Sequence, residues 1–460
     1  MSELTVIVLA AGHGKRMKSK LPKVLHELGG RTMVGHVLHA VKELGAGQVI
    51  AVVGHGRDQV VEHLAAIAPD VDVVVQEEQL GTGHAARVGL DAATGSDGDV
   101  LVLTADTPLL RGETLAWFLE RHREGSRAAS VLTAEVPEPH GYGRIVRSPA
   151  GDVWGIVEEK DASEEERAIR EINSGILAFD AAFLVGALPR LSNDNAGGEY
   201  YLTDVLALAR EDGVRTGGFL VPDFWETEGA NDRAQLARLG KELNRRLVTQ
   251  WMLEGVTVVD PDTTWIHADV EIGADTTLLP GTHLMGATKV GEDCVIGPFT
   301  TLEDCEVGNG AHVVNTRATL AVVGDQAEVG PFAHLRPNTR LDARGKIGGF
   351  VETKNAHIAE GAKVPHLSYI GDAEIGEGSN IGAGTITANY DGQDKHRTTI
   401  GKNVKSGSNV TFVAPVTVGD GAVTGAGATI REDVPADALA VSAGPQRVIE
   451  GWAAKKRREL

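Results

Sequence analysis

The sequence is poor in features that mark secreted and membrane proteins. Only two of its 460 residues are cysteines, Cys294 and Cys305, and they form no CxxC pair. This usage predicts reduced thiols in a cytoplasmic protein, without a disulfide framework. No uninterrupted apolar stretch approaches the ~20 residues that a membrane-spanning helix needs. The opening residues, MSELTVIVLAAG, place no basic segment before their short apolar run, so we expect no signal peptide.

Positive charge is also scarce. The 44 lysines and arginines are outnumbered by 64 aspartates and glutamates, which gives a formal net charge of −20. Proteins that bind nucleic acids or membrane surfaces through their general charge need broad positive fields, so we expect neither as a partner. The length favours two to three domains, each large enough to have its own core.

One local cluster of cations contrasts with this acidic background. The stretch LAAGHGKRMKSKLPKVLH (9–26) holds five cations within nine residues, directly after two glycines. A glycine-rich turn that follows a strand lets backbone N–H groups approach phosphate oxygens. The stretch matches neither the GxxxxGK[ST] loop nor the dinucleotide fingerprint, which has a third glycine and a downstream acid. It suits a triphosphate, although composition alone also fits a solvated basic turn.

The first half of the chain alternates strand and helix patterns. Short β-branched runs at 5–10, 48–54, 71–77 and 99–106 are separated by amphipathic stretches such as 112–124. Near-continuous apolar strands between helices predict a parallel sheet that is covered on both faces. Ligands bind outside the carboxyl ends of such strands, which is where the cationic stretch begins.

A change of period marks a second domain. Residues 231–255 carry leucines three and four apart, which predicts one long linker helix between a domain at 1–230 and another at 256–460. Beyond the helix, apolar residues recur every six positions, in three registers that begin at Ile266, Val323 and Ile358. A six-residue period predicts a solenoid of short flat strands. The first register contains Ile266, Ile272, Leu278, Leu284, Val290, Ile296 and Leu302. The polar segment 389–398 cannot fill a side of such a solenoid and should form a loop.

Several motifs carry a family resemblance. LAAGHGKRM followed by LPK resembles the signature of sugar-phosphate nucleotidyltransferases. With the hexapeptide half, almost the whole chain resembles the bifunctional N-acetylglucosamine-1-phosphate uridyltransferase/glucosamine-1-phosphate acetyltransferase family. The resemblance implies a Rossmann-like α/β domain of nucleotidyltransferase type, joined by a long helix to a left-handed parallel β-helix. It also implies a homotrimer whose acetyltransferase sites combine residues of more than one chain.

For the first domain the resemblance implies a UTP site with Mg²⁺. Arg16 and Lys23 would be catalytic and face the phosphates, while Asp106 and Asn231 would hold the metal. The family often has Tyr-Gly before the metal aspartate, where this chain has Thr104-Ala105. The further residues implied for nucleotide and sugar are Leu9, Ala10, Ala11, Gly12, Gln76, Gly81, Thr82, Thr104, Ala105, Gly143, Glu158 and Asn173.

The implied chemistry explains these residue types. A sugar-1-phosphate oxygen attacks the α-phosphorus of UTP in line, and pyrophosphate leaves. Both reactants are anions, so cations and a metal ion must offset their charge. The attacking phosphate is already ionised, and no general base is needed. The preference for uracil rests on the resemblance alone, because Gln76 could hydrogen-bond uracil or thymine.

For the second domain the resemblance implies an acetyl-CoA-dependent reaction with His366 as the base, since imidazole titrates near neutral pH. Glu352 would orient that imidazole, and Lys395 would reach a phosphate. Much of the family has an arginine where this chain has Ala443, and Arg447 would be its substitute. The residues implied for the amino-sugar phosphate are Arg336, Lys354, Tyr369, Asn380, Asn389 and Tyr390. Those implied for acetyl-CoA are Ala383, Asn389, Tyr390, Ser408, Ala426 and Ala443.

Together these features favour one protein with two consecutive reactions. The second domain would acetylate glucosamine-1-phosphate, and the first would couple the product to UTP, giving UDP-N-acetylglucosamine for peptidoglycan and other envelope polymers. One alternative is a nucleotidyltransferase whose β-helix only oligomerises or regulates. The other is a nucleotide sensor on an interaction scaffold, which the combined set of Arg16, Lys23 and Asp106 argues against.

Overall fold

A computed structural model describes residues 4–95, 97–149, 151–442, 444 and 446–458. The chain divides into two compact units, one ending at Leu243 and the other beginning at Asn244. The division falls inside a single long helix. No helix in the described part of the chain is both long and apolar enough to cross a bilayer.

The first unit is built on one nine-stranded sheet and a small hairpin. Its strands β1–β11 are Leu4–Ala10, Glu27–Leu28, Arg31–Thr32, Gln48–Val53, Asp72–Val75, Asp99–Thr104, Ala129–Glu135, Arg144–Arg147, Val153–Val157, Glu171–Asp180 and Thr216–Leu220. The strand order is β11-β7-β10-β6-β1-β4-β5, and β8 pairs with both β10 and β9. Strands β2 and β3 form the separate hairpin.

Helices pack between these strands and leave their apolar faces in the core. Helices α1–α7 are Met33–Lys42, Arg57–Ile67, Thr82–Asp91, Gly112–Glu124, Glu164–Arg167, Ala181–Ala187 and Val205–Glu211. Helix α4 coincides with the amphipathic stretch predicted at 112–124, and its apolar side chains Leu115 and Phe118 are fully buried. Turns of 3₁₀-helix occur at Lys15–Met17, Lys23–Leu25, Leu188–Arg190, Leu202–Asp204 and Phe224–Thr227.

The sheet is mixed, whereas the sequence predicted a parallel one. Strands β6, β1, β4 and β5 are parallel, as expected from their continuous apolar runs. Strand β10 lies between β6 and β7 and is antiparallel to both. It enters the sheet from the β8–β9 hairpin region, which reverses the chain direction before β10 begins.

The second unit is a coil of short parallel strands. Strands β12–β38 are Thr257–Val258, Trp265–Ile266, Glu271–Ile272, Thr277–Leu278, His283–Met285, Lys289–Val290, Val295–Ile296, Thr301–Glu303, Glu306–Val307, His312–Val313, Arg317–Thr319, Ala321–Val323, Glu328–Val329, His334–Leu335, Thr339–Leu341, Lys346–Gly349, Glu352–Ile358, Lys363–His366, Tyr369–Ile375, Ile386–Ala388, Thr398–Ile400, Lys405–Ser406, Thr411–Val413, Val416–Val418, Val423–Thr424, Thr429–Ile430 and Leu439–Ala440. In the early coils each strand pairs with the third strand after it, as in the ladders β12-β15-β18 and β13-β16-β19.

The six-residue registers point into this coil, as predicted. Every member of the first register is buried, with at most 7 % of its surface exposed. The second and third registers, which begin at Val323 and Ile358, are equally buried. The polar segment after β31 leaves the coil as an exposed loop, closed by a bridge between Tyr390 and Lys395. The parallel ladders and the buried registers therefore confirm the predicted β-helix.

The long helix α8 (Arg233–Leu253) contributes to both units. In the first unit its Leu239 is fully buried beside Met17 and Met33. In the second unit Asn244 caps the first coil, because its amide donates to the Thr264 carbonyl at 2.8 Å and accepts from the Ile266 N–H at 2.9 Å. The C-terminal helix α9 is Trp452–Arg458.

Burial of the register residues should dominate the stability of the coil. Replacing Leu302 with alanine should lower the free energy of unfolding by about 3 kcal/mol, since transfer and cavity costs add at a fully buried leucine. Thermal and denaturant unfolding of the full chain measure this change. Thr301→Ala, at the adjacent outward position, is the matched control, and equal losses in both variants would contradict the inward register.

Candidate functional site

A cavity of about 340 Å³ opens at the carboxyl ends of β1, β5 and β6. It is lined by Leu9, Ala10, Ala11, Gly12, His13, Lys23, Val24, Gln76, Gln79, Gly81, Thr82, Ala85, Thr104, Ala105, Asp106 and Glu199. Most of the positions predicted to contact the nucleotide are therefore gathered around one space: Leu9, Ala10, Ala11, Gly12, Lys23, Gln76, Gly81, Thr82, Thr104, Ala105 and Asp106. This is the position at which open α/β sheets bind ligands.

The loop after β1 is held in place by close backbone contacts. At Gly14 (φ +57°) an added Cβ would lie 2.6 Å from the Cβ of Lys23, so a larger residue would displace that lysine. At Gly54 an added Cβ would lie 2.9 Å from the Ala11 Cβ. These glycines allow the loop, the following 3₁₀ turn and the loop after β4 to pack against one another at the cavity.

Three polar side chains converge on one wall of the cavity. The Lys23 ammonium donates to the Asp106 carboxylate in a short hydrogen-bonded ion pair, and to the Asn231 side-chain oxygen at 2.8 Å. Burial opposes ionisation of Asp106, but the Lys23 charge and the hydrogen bonds from Lys23 and Thr104 together outweigh it and keep the pKa of this carboxyl below its usual value. The convergence of two oxygen donors on a single point suits a hard cation, and Mg²⁺ commonly takes one or two protein carboxylates together with substrate phosphates.

The residues predicted for the sugar form a second group. The Asn173 N–H donates to the Gly143 carbonyl at 2.9 Å, and an added Cβ on Gly143 would lie 3.3 Å from the Glu158 carboxylate. Burial raises the pKa of Glu158, although its hydrogen bond from Thr203 at 3.2 Å opposes the shift. Gly175 links this group to the cavity, because its Cα carries no side chain where Thr104 approaches.

Arg16 is not part of the cavity lining and lies exposed on the 3₁₀ turn. The cavity is also lined by residues that the sequence did not single out, namely the polar His13, Gln79 and Glu199 and the apolar Val24 and Ala85. Gln79 lies within the same QEEQLGTG segment as Gln76, so that motif was the available signal. Glu199 reaches the cavity from a distant loop and has no such signal in the sequence.

In the second unit, Arg336 and Lys354, both predicted to bind the sugar phosphate, each contact a carboxylate. Arg336 donates to Glu352 at 2.9 Å, while the Lys354 ammonium lies 3.4 Å from Asp372. Asn389 also donates to Asp372. The side chain of His366 is exposed on β29. The expected contact between Glu352 and His366 is wrong for this structure, because the Glu352 carboxylate is turned to the Arg336 guanidinium.

The positions predicted for acetyl-CoA lie in successive coils at one corner. The Ala383 carbonyl accepts from Asn409 at 2.7 Å, and the Ser408 carbonyl accepts from Gly427, next to Ala426, at 2.8 Å. Asn380 pairs with Lys363 and Lys405 on the adjoining face. Tyr390 is 61 % exposed in the loop that follows Asn389. Ala443 lies outside the described residues, and Arg447 is exposed.

Comparisons with known proteins agree with both halves. The model of the MobA-like NTP transferase domain matches residues 6–170, and that of the bacterial transferase hexapeptide matches 269–304 and 397–432. The chain is 57 % identical to the "Bifunctional protein GlmU" of Streptomyces avermitilis, over 98 % of this chain and 94 % of that protein. Proteins of the same name from Mycolicibacterium smegmatis and Corynebacterium efficiens are 54 % and 53 % identical over 99 % of this chain and 96 % and 95 % of theirs. The predicted fold class, including the left-handed β-helix of hexapeptide repeats, is confirmed.

The Lys23–Asp106 pair should make stability depend on pH. Without added metal, Lys23→Met leaves a carboxylate that must ionise in a partly buried place, so the variant should melt at a lower temperature than wild type at neutral pH. A folded pKa below the unfolded one stabilises above the unfolded value, ~3.8, and the advantage is lost as pH falls through the folded pKa. The difference in melting temperature should therefore shrink as the pH falls below ~3.8. Thermal unfolding across pH measures it; Lys15→Met, at an exposed position of the same loop, is the control, and a difference independent of pH would contradict the pairing.

Proposed function

Since the chain belongs to the family of the bifunctional GlmU proteins, we infer that it is an enzyme with two consecutive activities of UDP-N-acetylglucosamine synthesis. One is the acetylation of glucosamine-1-phosphate by acetyl-CoA, and the other is uridylyl transfer from UTP to N-acetylglucosamine-1-phosphate with release of pyrophosphate. The observation that carries this inference is identity above 50 % along nearly the full length of both units. The product supplies cell-wall synthesis.

For uridylyl transfer we propose that the loop after β1 holds the triphosphate. Its glycines expose backbone N–H groups, and Lys23 supplies a positive charge at the cavity wall. In the free protein the Lys23 ammonium already contacts the Asp106 and Asn231 oxygens. A triphosphate would compete for this ammonium, which leaves the two oxygens to bind Mg²⁺. The bound metal would neutralise negative charge on phosphate oxygens.

The second group of residues would place the attacking sugar phosphate. Gly143 accepts from the Asn173 N–H and lies close to the Glu158 carboxylate, which accepts from Thr203. Such a polar wall fits the hydroxyl and amide groups of N-acetylglucosamine. Arg16, exposed on the 3₁₀ turn beside the cavity, would reach the leaving pyrophosphate after a rotation of its long side chain.

For acetyl transfer we propose that His366 takes a proton from the amino group as it attacks the thioester. Its exposed imidazole is free to meet a substrate from solvent. Arg336 and Lys354 would bind the phosphate of the amino sugar, and Tyr369 lies beside Glu352 in the neighbouring coil. The corner formed by Ala383, Ser408 and Ala426 would carry acetyl-CoA, with Asn389 and Tyr390 closing over it from the loop.

We further propose that the protein is a homotrimer. One corner of the β-helix carries an apolar ridge, which consists of Phe299, Phe332, Phe350 and Leu367 and is 57–72 % exposed. The Phe332 and Phe350 rings stack with centroids 5.2 Å apart. Phe332, Phe350 and Leu367 lie in successive coils, while Asn315 separates Phe332 from Phe299. An exposed apolar ridge of this kind is typical of an interface. His366 directly precedes the ridge residue Leu367, so a neighbouring chain seated here would complete the acetyltransferase site. UTP and acetyl-CoA are cytoplasmic metabolites, which supports a cytoplasmic location.

Two variants should separate the activities. In His366→Ala, release of free thiol from acetyl-CoA with glucosamine-1-phosphate should fall at least about a hundredfold, since a general base is lost, while uridylyl transfer is unchanged. In Asp106→Asn the reverse is expected, because the loss of one anionic oxygen weakens Mg²⁺ binding. Pyrophosphate and thiol release by the same preparations measure both reactions, so each variant controls the other. No thiol release from wild type would overturn the second activity.

Disruption of the apolar ridge should abolish acetyl transfer selectively. Phe350→Arg places a charge at the stacked pair and should yield monomers. These monomers should lose thiol release but keep uridylyl transfer, because all the residues that line the nucleotide cavity belong to the first unit of a single chain. Light scattering and both assays measure the outcome. Trp154→Arg, at another exposed aromatic residue on the first unit, is the control. A monomer with normal acetyl transfer would disprove the shared site.

A further inference from the structure

One corner of the β-helix carries a column of residues with short polar side chains. Asn338, Asn355 and Asp372 occupy equivalent places in three successive coils, as the strand registers on either side show. All three have left-handed backbones, with φ of 62°, 46° and 49°. Asparagine and aspartate tolerate this conformation better than other non-glycine residues. Leu320, one coil earlier at the same corner, also has a left-handed backbone (φ 48°), so the conformation favours asparagine and aspartate without requiring them. It does not distinguish an amide from a carboxylate.

Asp372 has contacts both within the column and beyond it. Its side chain is nearly buried, and its carboxylate accepts from the Asn355 amide at 2.7 Å. The same carboxylate accepts from Asn389, the first residue of the exposed loop, and lies 3.4 Å from the Lys354 ammonium. It thus joins the loop to a lysine that the proposed function assigns to substrate phosphate.

The surroundings of Asp372 are rich in positive charge. Lys354 lies next to Lys395 of the loop, and the Lys354 ammonium lowers the pKa of Lys395. Arg336 adds a third cation, which is paired with Glu352, and Tyr369 faces Lys354 from β30. Hydrogen bonds from Asn355 and Asn389 and the charge of Lys354 together outweigh burial and hold the pKa of Asp372 below its usual value.

An amide can serve hydrogen bonding in the column, as the bond from Asn355 to Asp372 shows. A carboxylate adds negative charge beside two lysines that repel each other. We propose that Asp372 is a positioning residue of the acetyltransferase site, which fixes Lys354 and Asn389 and balances the paired charges of Lys354 and Lys395. This inference rests on the proposed acetyl transfer and adds a residue that does not itself touch the reacting atoms.

The test uses an isosteric change that removes charge and keeps the hydrogen-bonding shape. In Asp372→Asn the Asn389 amide can turn over to restore its hydrogen bond, but Lys354 and Lys395 lose their counter-charge, and one of them should deprotonate at lower pH. The KM for glucosamine-1-phosphate, relative to wild type at the same pH, should rise about tenfold between pH ~7 and ~9, whereas kcat changes less. The ratio to wild type removes the titration of the substrate's own amine.

Asp304→Asn is the matched control, because Asp304 has a similar left-handed backbone (φ 50°) earlier in the β-helix and accepts from the Ala287 N–H at 2.9 Å. It should leave the KM unchanged at every pH. The double variant Asp372→Asn/Lys395→Met removes the repulsion, so its relative KM should become independent of pH again.

Each result decides the role. An Asp372→Asn enzyme with the wild-type KM profile, a double variant that keeps the steep profile, or an Asp372→Asn chain that melts well below Asp304→Asn would each overturn the inference. The last of these would show a structural role alone. Wild type without thiol release would overturn the acetyl transfer itself, and unchanged uridylyl transfer in all variants shows that the first unit is intact.

Discussion

The burial of one aliphatic side chain every six residues is the constraint on which the second unit depends. A chain that turns each time it has buried one such residue must return to the same place after three sides, and successive coils then stack in register. Residues at equivalent corners form columns along the coil. The registers that begin at Ile266, Val323 and Ile358 are all buried, so the corner columns stay aligned from one register to the next. The residues of a corner column can therefore differ with function while the inward residues stay aliphatic.

The corners differ in chemistry although the backbone repeats. One corner gives the apolar ridge and, in later coils, Ala383, Ser408 and Ala426. Another gives the polar column of Asn338, Asn355 and Asp372. The loop after Asn389 is inserted where the polar corner would continue, so the most irregular segment begins at the most polar place. The rigid coil holds both ends of the loop, so the loop needs few contacts of its own. Within the loop, Asp391 accepts from the N–H groups of Gln393 and Asp394 at 2.8 Å.

The sequence predicts those features that a period or a local motif expresses. The inward registers, helix α4 and the nucleotide cavity are of this kind, since each depends on neighbours in the chain. Side-chain pairing across coils or strands is not, because it depends on register between segments that are far apart in the chain. The antiparallel insertion of β10, the choice of Arg336 as the partner of Glu352 and the role of Asp372 therefore appear only in three dimensions. The roles of the individual site residues remain predictions.

Both proposed sites solve the same electrostatic problem. Cations that will meet a phosphate must be held in place before it arrives, and bare lysines brought together would repel one another or lose their protons. In each unit a carboxylate takes the place of the anion: Asp106 for Lys23, and Asp372 for Lys354. Such a pair gives little net stability, because the two charges give up part of their hydration to form it. Its main effect is on geometry, since the carboxylate fixes the direction of the lysine side chain. An acidic protein can then concentrate positive charge at two places without becoming a general binder of anions.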